Sequence, residues 1–246
     1  MRSEARVLIL VCHRVHNDSD PTAPRVVPGE SCGHVTKSAF RTQLDVLAER
    51  GFSVVTHGEI GAWLTEGTDL PSDRNVAIDF DDNRLNVVEN ALPVMEEYGF
   101  SGTMFVVSGL AEGGVDDLRH YPVADWDALA KLRDAGWAIG SHTHTHRRLG
   151  DLCDPSEIEE ELIVSRQLIQ ERLGTEVRDF AYPEGSWNED VERIVKRHYR
   201  SARHWEEEFG LLYNTVDTNP FRLKAVNVSM LTTRKTFTDI LTGLRG

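Results

Sequence analysis

Val76-Ala77-Ile78-Asp79-Phe80-Asp81-Asp82-Asn83 is a short, largely apolar run that ends in acid. Val76 to Phe80 has the length of a buried strand, and Asp81, Asp82 and Asn83 follow it without a break. The same pattern recurs along the chain. Val7 to Val11 reads as a strand and runs into Cys12 and His13. Trp137 to Gly140 runs into Ser141, His142, Thr143, His144, Thr145 and His146, and Phe180 to Tyr182 into Pro183, Glu184 and Gly185. Phe52 to Val55 and Thr103 to Val107 are two further strands.

Helical periodicities lie between them. Phe40, Leu44 and Leu47 stop at Gly51, and Trp126, Leu129 and Leu132 share one face. Val87, Ala91, Val94, Met95 and Tyr98 lead to Gly99 in a helix bent at Pro93. Asn188 to His198 is a further helix. Asp154, Pro155 and Glu157 are the clearest helix start, an Asx cap followed by proline at the first helical position and glutamate at the third. Ile158, Leu162, Ile169 and Leu173 carry that helix to Gly174. Repeated strand-then-helix units make a parallel sheet, either closed as a barrel or open and doubly wound. Chemistry then belongs at the C-terminal ends of the strands, where the polar clusters fall.

The composition fits one globular domain over residues 1–246, with 40% hydrophobic and 27% charged residues and no linker-like tract. Acidic residues number 40 against 27 basic, a formal charge of -13 that disfavours nucleic acid and anionic membrane surfaces. No segment approaches the roughly 18 consecutive apolar residues of a membrane span, and the short apolar run before Cys12 leaves no room for a signal-peptide core. Cys12, Cys32 and Cys153 show neither a pairing pattern nor a metal spacing. The expectation is a cytoplasmic protein with no membrane or nucleic-acid partner; the sequence gives no oligomeric state.

Adjacent carboxylates such as Asp81 and Asp82 raise each other's pKa unless a cation or donor offsets them. Two histidines and a carboxylate that leave positions open for water and substrate make a divalent-metal site suited to hydrolysis. A second carboxylate nearby can take the proton as the nucleophile forms. Each motif has a plainer reading alone: turns are rich in Asp, and a His-rich loop is often just solvated.

The sequence resembles the polysaccharide deacetylase family (carbohydrate esterase family 4). Asp79-Phe80-Asp81-Asp82-Asn83 looks like a variant of its first motif, Thr-Phe-Asp-Asp-Gly. His142-Thr143-His144-Thr145-His146 satisfies the second, and Phe180-Ala181-Tyr182-Pro183-Glu184-Gly185 matches the third, Phe-Ala-Tyr-Pro-x-Gly. The likeness runs from about Val7 to about Val228. It implies a single distorted seven-stranded TIM-like (β/α) barrel. It also implies a metal-dependent hydrolase of non-peptide C–N bonds that removes an acyl group from an amino sugar or small N-acetylated metabolite. Carried over by position, Asp81 is the general base, and Asp82, His142 and His146 bind the metal, zinc first with cobalt or nickel as alternatives. The backbone N–H of Glu184 is the oxyanion donor. The late Leu-x-x-His acid motif is missing. Leu10-Val11-Cys12-His13-Arg14-Val15 is similar to an early segment that carries the acid in one branch, so His13 is expected to face Asp81 across the substrate pocket.

Several positions depart from the family. Asn83 replaces glycine and tolerates φ > 0 next best. Asp79 replaces threonine, as a support for the site or a substrate contact. Ala181 stands where many members have an arginine that steadies the base, with Arg178 as substitute or surface ion pair. Glu184 adds acid beside the oxyanion position, which would repel anionic substrates. His144 is expected to line the pocket, Trp126 and Trp137 to lie in the core, and Trp187 to reach the pocket; His204 and Trp205 carry no assignment. Cyclic-imide or ureide hydrolysis on the same scaffold is the nearest alternative function. A non-catalytic carbohydrate-binding barrel would have lost the motif residues, and a nucleotide-binding fold lacks its Gly-rich loop after the first strand.

Overall fold

Closure of the sheet on itself decides between the two architectures. The computed structural model describes residues 4–20, 33–114, 121–205, 212–229 and 232–242. Seven parallel strands form the ring: β1 (Arg6–Cys12), β2 (Arg74–Asp81), β3 (Thr103–Val106), β4 (Ala138–Ser141), β5 (Asp179–Ala181), β6 (Ser201–Trp205) and β7 (Leu223–Asn227). They pair in chain order, and β1 closes the ring by pairing with both β7 and β2, the latter along its whole length from Arg6↔Arg74 to Cys12↔Phe80. The result is a (β/α)7 barrel rather than an open sheet.

Strand parity separates its two faces. On β1, Leu8, Leu10 and Cys12 join the outer core under the helices, while Val7, Ile9 and Val11 pack inward with Ala77, Leu223 and Ala225. On β2, Val76, Ile78 and Phe80 belong to the outer core. Asp79 and Asp81 therefore share the inward face with Ala77. The interior narrows at β4, where a Cβ on Gly140 would sit 2.5 Å from the Phe105 ring. Helix α1 (Lys37–Glu49) is capped by Thr36, and helix α2 (His57–Thr65) opens on a reciprocal capping box between Thr56 and Glu59. Ile60 and Trp63 of α2 pack with the inner residues, and its first residue, His57, is fully buried.

Pro93 does break its helix. Val87–Ala91 is a π-helical turn, in which Leu92 N–H reaches back to the Val87 carbonyl, and α3 (Leu92–Glu97) takes Pro93 within its first turn, where no N–H is needed. Helix α4 (Trp126–Asp134) precedes α5 (Pro155–Leu173), which starts on Asp154 and ends at Gly174 with φ 60°, as its caps predict. Helices α6 (Glu189–His198) and α7 (Arg234–Thr242) complete the layer. The expected strand at Phe52 to Val55 is Ser53–Val55, paired to β2 outside the ring. Strands β6 and β7 have no counterpart in the sequence reading. Trp137 is buried in the outer core and Trp126 packs against it. Cys12 is buried and Cys153 exposed, both as free thiols; Cys32 lies outside the described residues. No helix among the described residues is long and apolar enough to cross a membrane.

Candidate active site

The C-terminal ends of β1, β2, β5, β6 and β7, with the turn after β4, converge on one pocket of about 270 Å³, near the lower end of ligand clefts. Asp82, His142 and His146 each offer one donor atom there, all within 4.8 Å of one another. Asp82 Oδ1 stands 3.2 Å from His146 Nε2 and 3.8 Å from His142 Nε2. It is buried and makes no hydrogen bond, while Oδ2 accepts one from Arg84 at 3.1 Å. His142 bonds the Ala181 carbonyl through Nδ1 at 2.8 Å, which leaves Nε2 facing the pocket. Burial draws His142 down to about 4, so its imidazole is neutral and ready to bind metal at neutral pH. Burial would raise Asp82, but His146, His13 and Arg84 outweigh it and hold the carboxylate well below its ordinary range. A buried, anionic, orphaned oxygen between two imidazoles fits a divalent cation.

Two local devices aim these groups. Asn83 (φ 38°) accepts from Val107 N–H through Oδ1 at 3.0 Å and donates from Nδ2 to the Ala124 carbonyl at 3.3 Å. The turn from Thr143 to His146 wraps a carboxylate of α5: Glu161 accepts from the N–H groups of His144 and Thr145 at 2.9 and 2.8 Å and from the Thr145 hydroxyl. Among the described residues, the non-glycine positions with φ > 0 are Asp82, Asn83, Thr143, His146 and Glu184. Each costs of order 1 kcal/mol or more, and all lie on this site.

Asp81 lies one residue from Asp82 but faces inward from the end of β2. Its Oδ2 is 3.9 Å from both His13 Nε2 and His142 Nε2, and its Oδ1 accepts from Arg203. His13 and Asp81 thus stand side by side rather than on opposite sides of the pocket, because β1 and β2 are adjacent strands that end together. Gly33, at φ +74°, backs His13: its carbonyl accepts from His13 N–H at 2.6 Å, and a Cβ there would lie 2.0 Å from His13 Nδ1. Glu184 (φ 51°) sits in a tight turn closed by the N–H groups of Gly185 and Ser186 rather than by its own.

The family model for polysaccharide deacetylase matches residues 69–201, more than half of the chain, including both acidic and histidine motifs. The chain belongs to the polysaccharide deacetylase family. YxkH of Bacillus subtilis (strain 168), which bears the name of a polysaccharide deacetylase, is 25% identical over 163 residues, which are 66% of this chain and 55% of that protein. The poly-beta-1,6-N-acetyl-D-glucosamine N-deacetylase of Staphylococcus aureus (strain N315) is 26% identical over 171 residues, 66% of this chain and 58% of that protein. The chain therefore spans little more than half the length of these relatives. Among solved structures, the Streptococcus pyogenes deacetylase PplD in complex with acetate superposes with a TM-score of 0.81 at 20% identity, covering 98% of this chain and 99% of that one. A de-N-acetylase from Aggregatibacter actinomycetemcomitans gives 0.78 at 16% identity, over 97% and 100% of the two chains. These likenesses show the shared barrel.

Within this deacetylase frame, three expectations change. His144 turns away from the pocket to bond Ser108 Oγ through Nδ1 at 2.9 Å, because its backbone is fastened to Glu161. Trp187 does not line the pocket; its ring packs against His204 and under the Arg222 guanidinium. The indole at the rim is Trp205, 39% exposed. Of the two readings of Arg178, the structure shows the surface ion pair, with Glu66. The Glu184 carboxylate does not stand alone: it shares the Arg148 guanidinium, at 2.7 Å from Nη1, with Asp151, at 2.8 Å from Nε. Arg203, which sequence reading missed, bonds both Asp79 and Asp81.

Proposed function

We propose that the protein is a zinc-dependent N-deacetylase of N-acetylated amino sugars, with cobalt or nickel able to replace zinc. The observation that carries the reading is the orphaned Asp82 Oδ1 between His142 and His146, with Asp81 and His13 beside it. When bound, the metal polarises the acyl carbonyl and lowers the pKa of a water molecule. Asp81 Oδ2 would accept a proton from the attacking water as the new C–O bond forms. The backbone N–H of Glu184, in the left-handed turn that lines the pocket, donates to the developing oxyanion. His13 then delivers a proton from Nε2 to the departing nitrogen, and the C–N bond breaks to give acetate and a free amine. The Staphylococcus aureus relative's name and the acetate in the PplD structure favour an N-acetylhexosamine, and Trp205 offers an exposed ring for a sugar face.

The test is acetate release by zinc-loaded protein from N-acetylglucosamine oligomers, β-1,4- and β-1,6-linked, beside the cyclic imide dihydrouracil. Acetate release that a chelator abolishes, and that Asp81→Asn lowers by roughly 10²–10⁴-fold while zinc is retained, is the expected outcome. Ring opening of the imide without acetate release would replace this reading.

A further inference from the structure

Ala181 and Arg203 stand directly opposite one another in the β5–β6 register. Side chains in register on adjacent strands point to the same face, so both positions look into the barrel. Many members of the family carry an arginine at the position of Ala181, next to the base, whereas the third motif that this chain matches has alanine there. Here that position ends at Cβ, and a guanidinium arrives from one strand over. Arg203 Nε donates to Asp79 Oδ2 at 2.9 Å, and Nη2 donates to Asp81 Oδ1. Asp79 Oδ2 also bonds His57 Nδ1 at 3.2 Å. All four residues are buried, His57 and Asp79 completely. The Phe105 ring, with its centroid 4.7 Å from Arg203 Cζ, closes the remaining side.

Asp79 and Asp81 lie two residues apart on one strand face, so their charges would repel in a low-dielectric interior without a shared cation. A planar guanidinium can bridge two carboxylates in fixed directions. By binding Oδ1 of Asp81 it leaves Oδ2 turned toward His13 and His142. We propose that Arg203 is the positioning residue of the general base, its arginine relocated from β5 to β6, and that Asp79, in place of the family's threonine, with His57 behind it, is the mount that fixes it. The inference rests on the reading of Asp81 as base. It accounts together for Ala181, Asp79 and the buried Arg203.

The test uses zinc-loaded protein and two substrates, tri-N-acetylchitotriose and the activated ester 4-nitrophenyl acetate, whose leaving group needs no acid. Arg203→Lys keeps the buried charge but loses the fork; kcat should fall about 10–100-fold on both substrates, with KM, zinc content and Tm near wild type. Ala181→Arg alone should lower Tm by setting a second guanidinium beside Arg203. The double variant Arg203→Ala/Ala181→Arg should regain Tm over Ala181→Arg and about tenfold in kcat over Arg203→Ala. Wild-type kcat in Arg203→Lys, or a double variant no better than either parent, overturns the proposal. Wild-type protein that cleaves the ester but not the N-acetyl sugar removes the substrate reading and leaves Arg203 to be judged on the ester. Wild-type protein inert toward both overturns the two together.

Discussion

Asp81 and Asp82 are chain neighbours with different surroundings, and the difference is one of backbone. Asp81 is the last residue of β2 and follows the inward parity of Asp79, whereas Asp82 has left the strand with φ 66° and points at the two histidines. Such contiguous motifs are legible in sequence because the strand end itself brings the groups together. His13 was legible for the same reason, but Gly33, which shapes its seat, was not: it lies 20 residues on, beside no motif. Gly33→Ala tests that seat. The added Cβ would collide with His13 Nδ1, and φ +74° costs an alanine roughly 1 kcal/mol. We expect a large fall in N-acetyl sugar turnover with little loss on 4-nitrophenyl acetate, since only the amine needs the acid. Equal losses on both substrates would take His13 out of the acid role.

The turn from Thr143 to His146 shows how an element works through another one. Two of its residues, Thr143 and His146, have left-handed backbone, and Glu161 from the middle of α5 compensates by taking the N–H groups of His144 and Thr145. Periodicity marks Ile158 and Leu162 as the buried stripe of α5 but says nothing of a glutamate between them that is 7% exposed. Glu161→Ala leaves three part-buried donors, the His144 and Thr145 N–H groups and the Thr145 hydroxyl, without their carboxylate, about 1–3 kcal/mol each at most, and should weaken zinc binding roughly 10–100-fold; isothermal titration with zinc measures it, and wild-type affinity would contradict it. Helix α6 offers a second case. Glu192 is 4% exposed; burial would raise it, but Lys196, Arg222 and Asn219 lower it overall. A depressed folded pKa gives stability that is complete above the unfolded value of about 4.3 and is lost as pH falls through the folded one. Melting curves of Glu192→Gln should therefore show a lower Tm at neutral pH and a smaller further drop below about pH 4 than wild type. Parallel curves would mean that the ion pairs contribute nothing.

Across the whole molecule, the sequence could show strand–helix units but not whether they closed, since open and closed parallel sheets are built from the same repeats. Closure depends on β1 pairing with β2 and β7 at once, a contact between residues about 70 and 215 apart in the chain that no local pattern announces. Strands β6 and β7 escaped notice for a related reason. Ser201-Ala202-Arg203-His204-Trp205 is too polar to resemble a buried strand, yet Arg203 is polar because the barrel interior at that height carries Asp79 and Asp81. The unread strand and the unread Arg203 were one omission. The proposed function would unite barrel, motifs and buried charges through a divalent ion held by Asp82, His142 and His146, between β2 and the turn after β4. Anomalous diffraction at the zinc edge, from crystals grown with stoichiometric zinc, tests that claim most directly. The account predicts a single strong peak about 2.0–2.2 Å from Asp82 Oδ1, His142 Nε2 and His146 Nε2; a peak elsewhere, or none at these three atoms in protein that retains zinc, would contradict it.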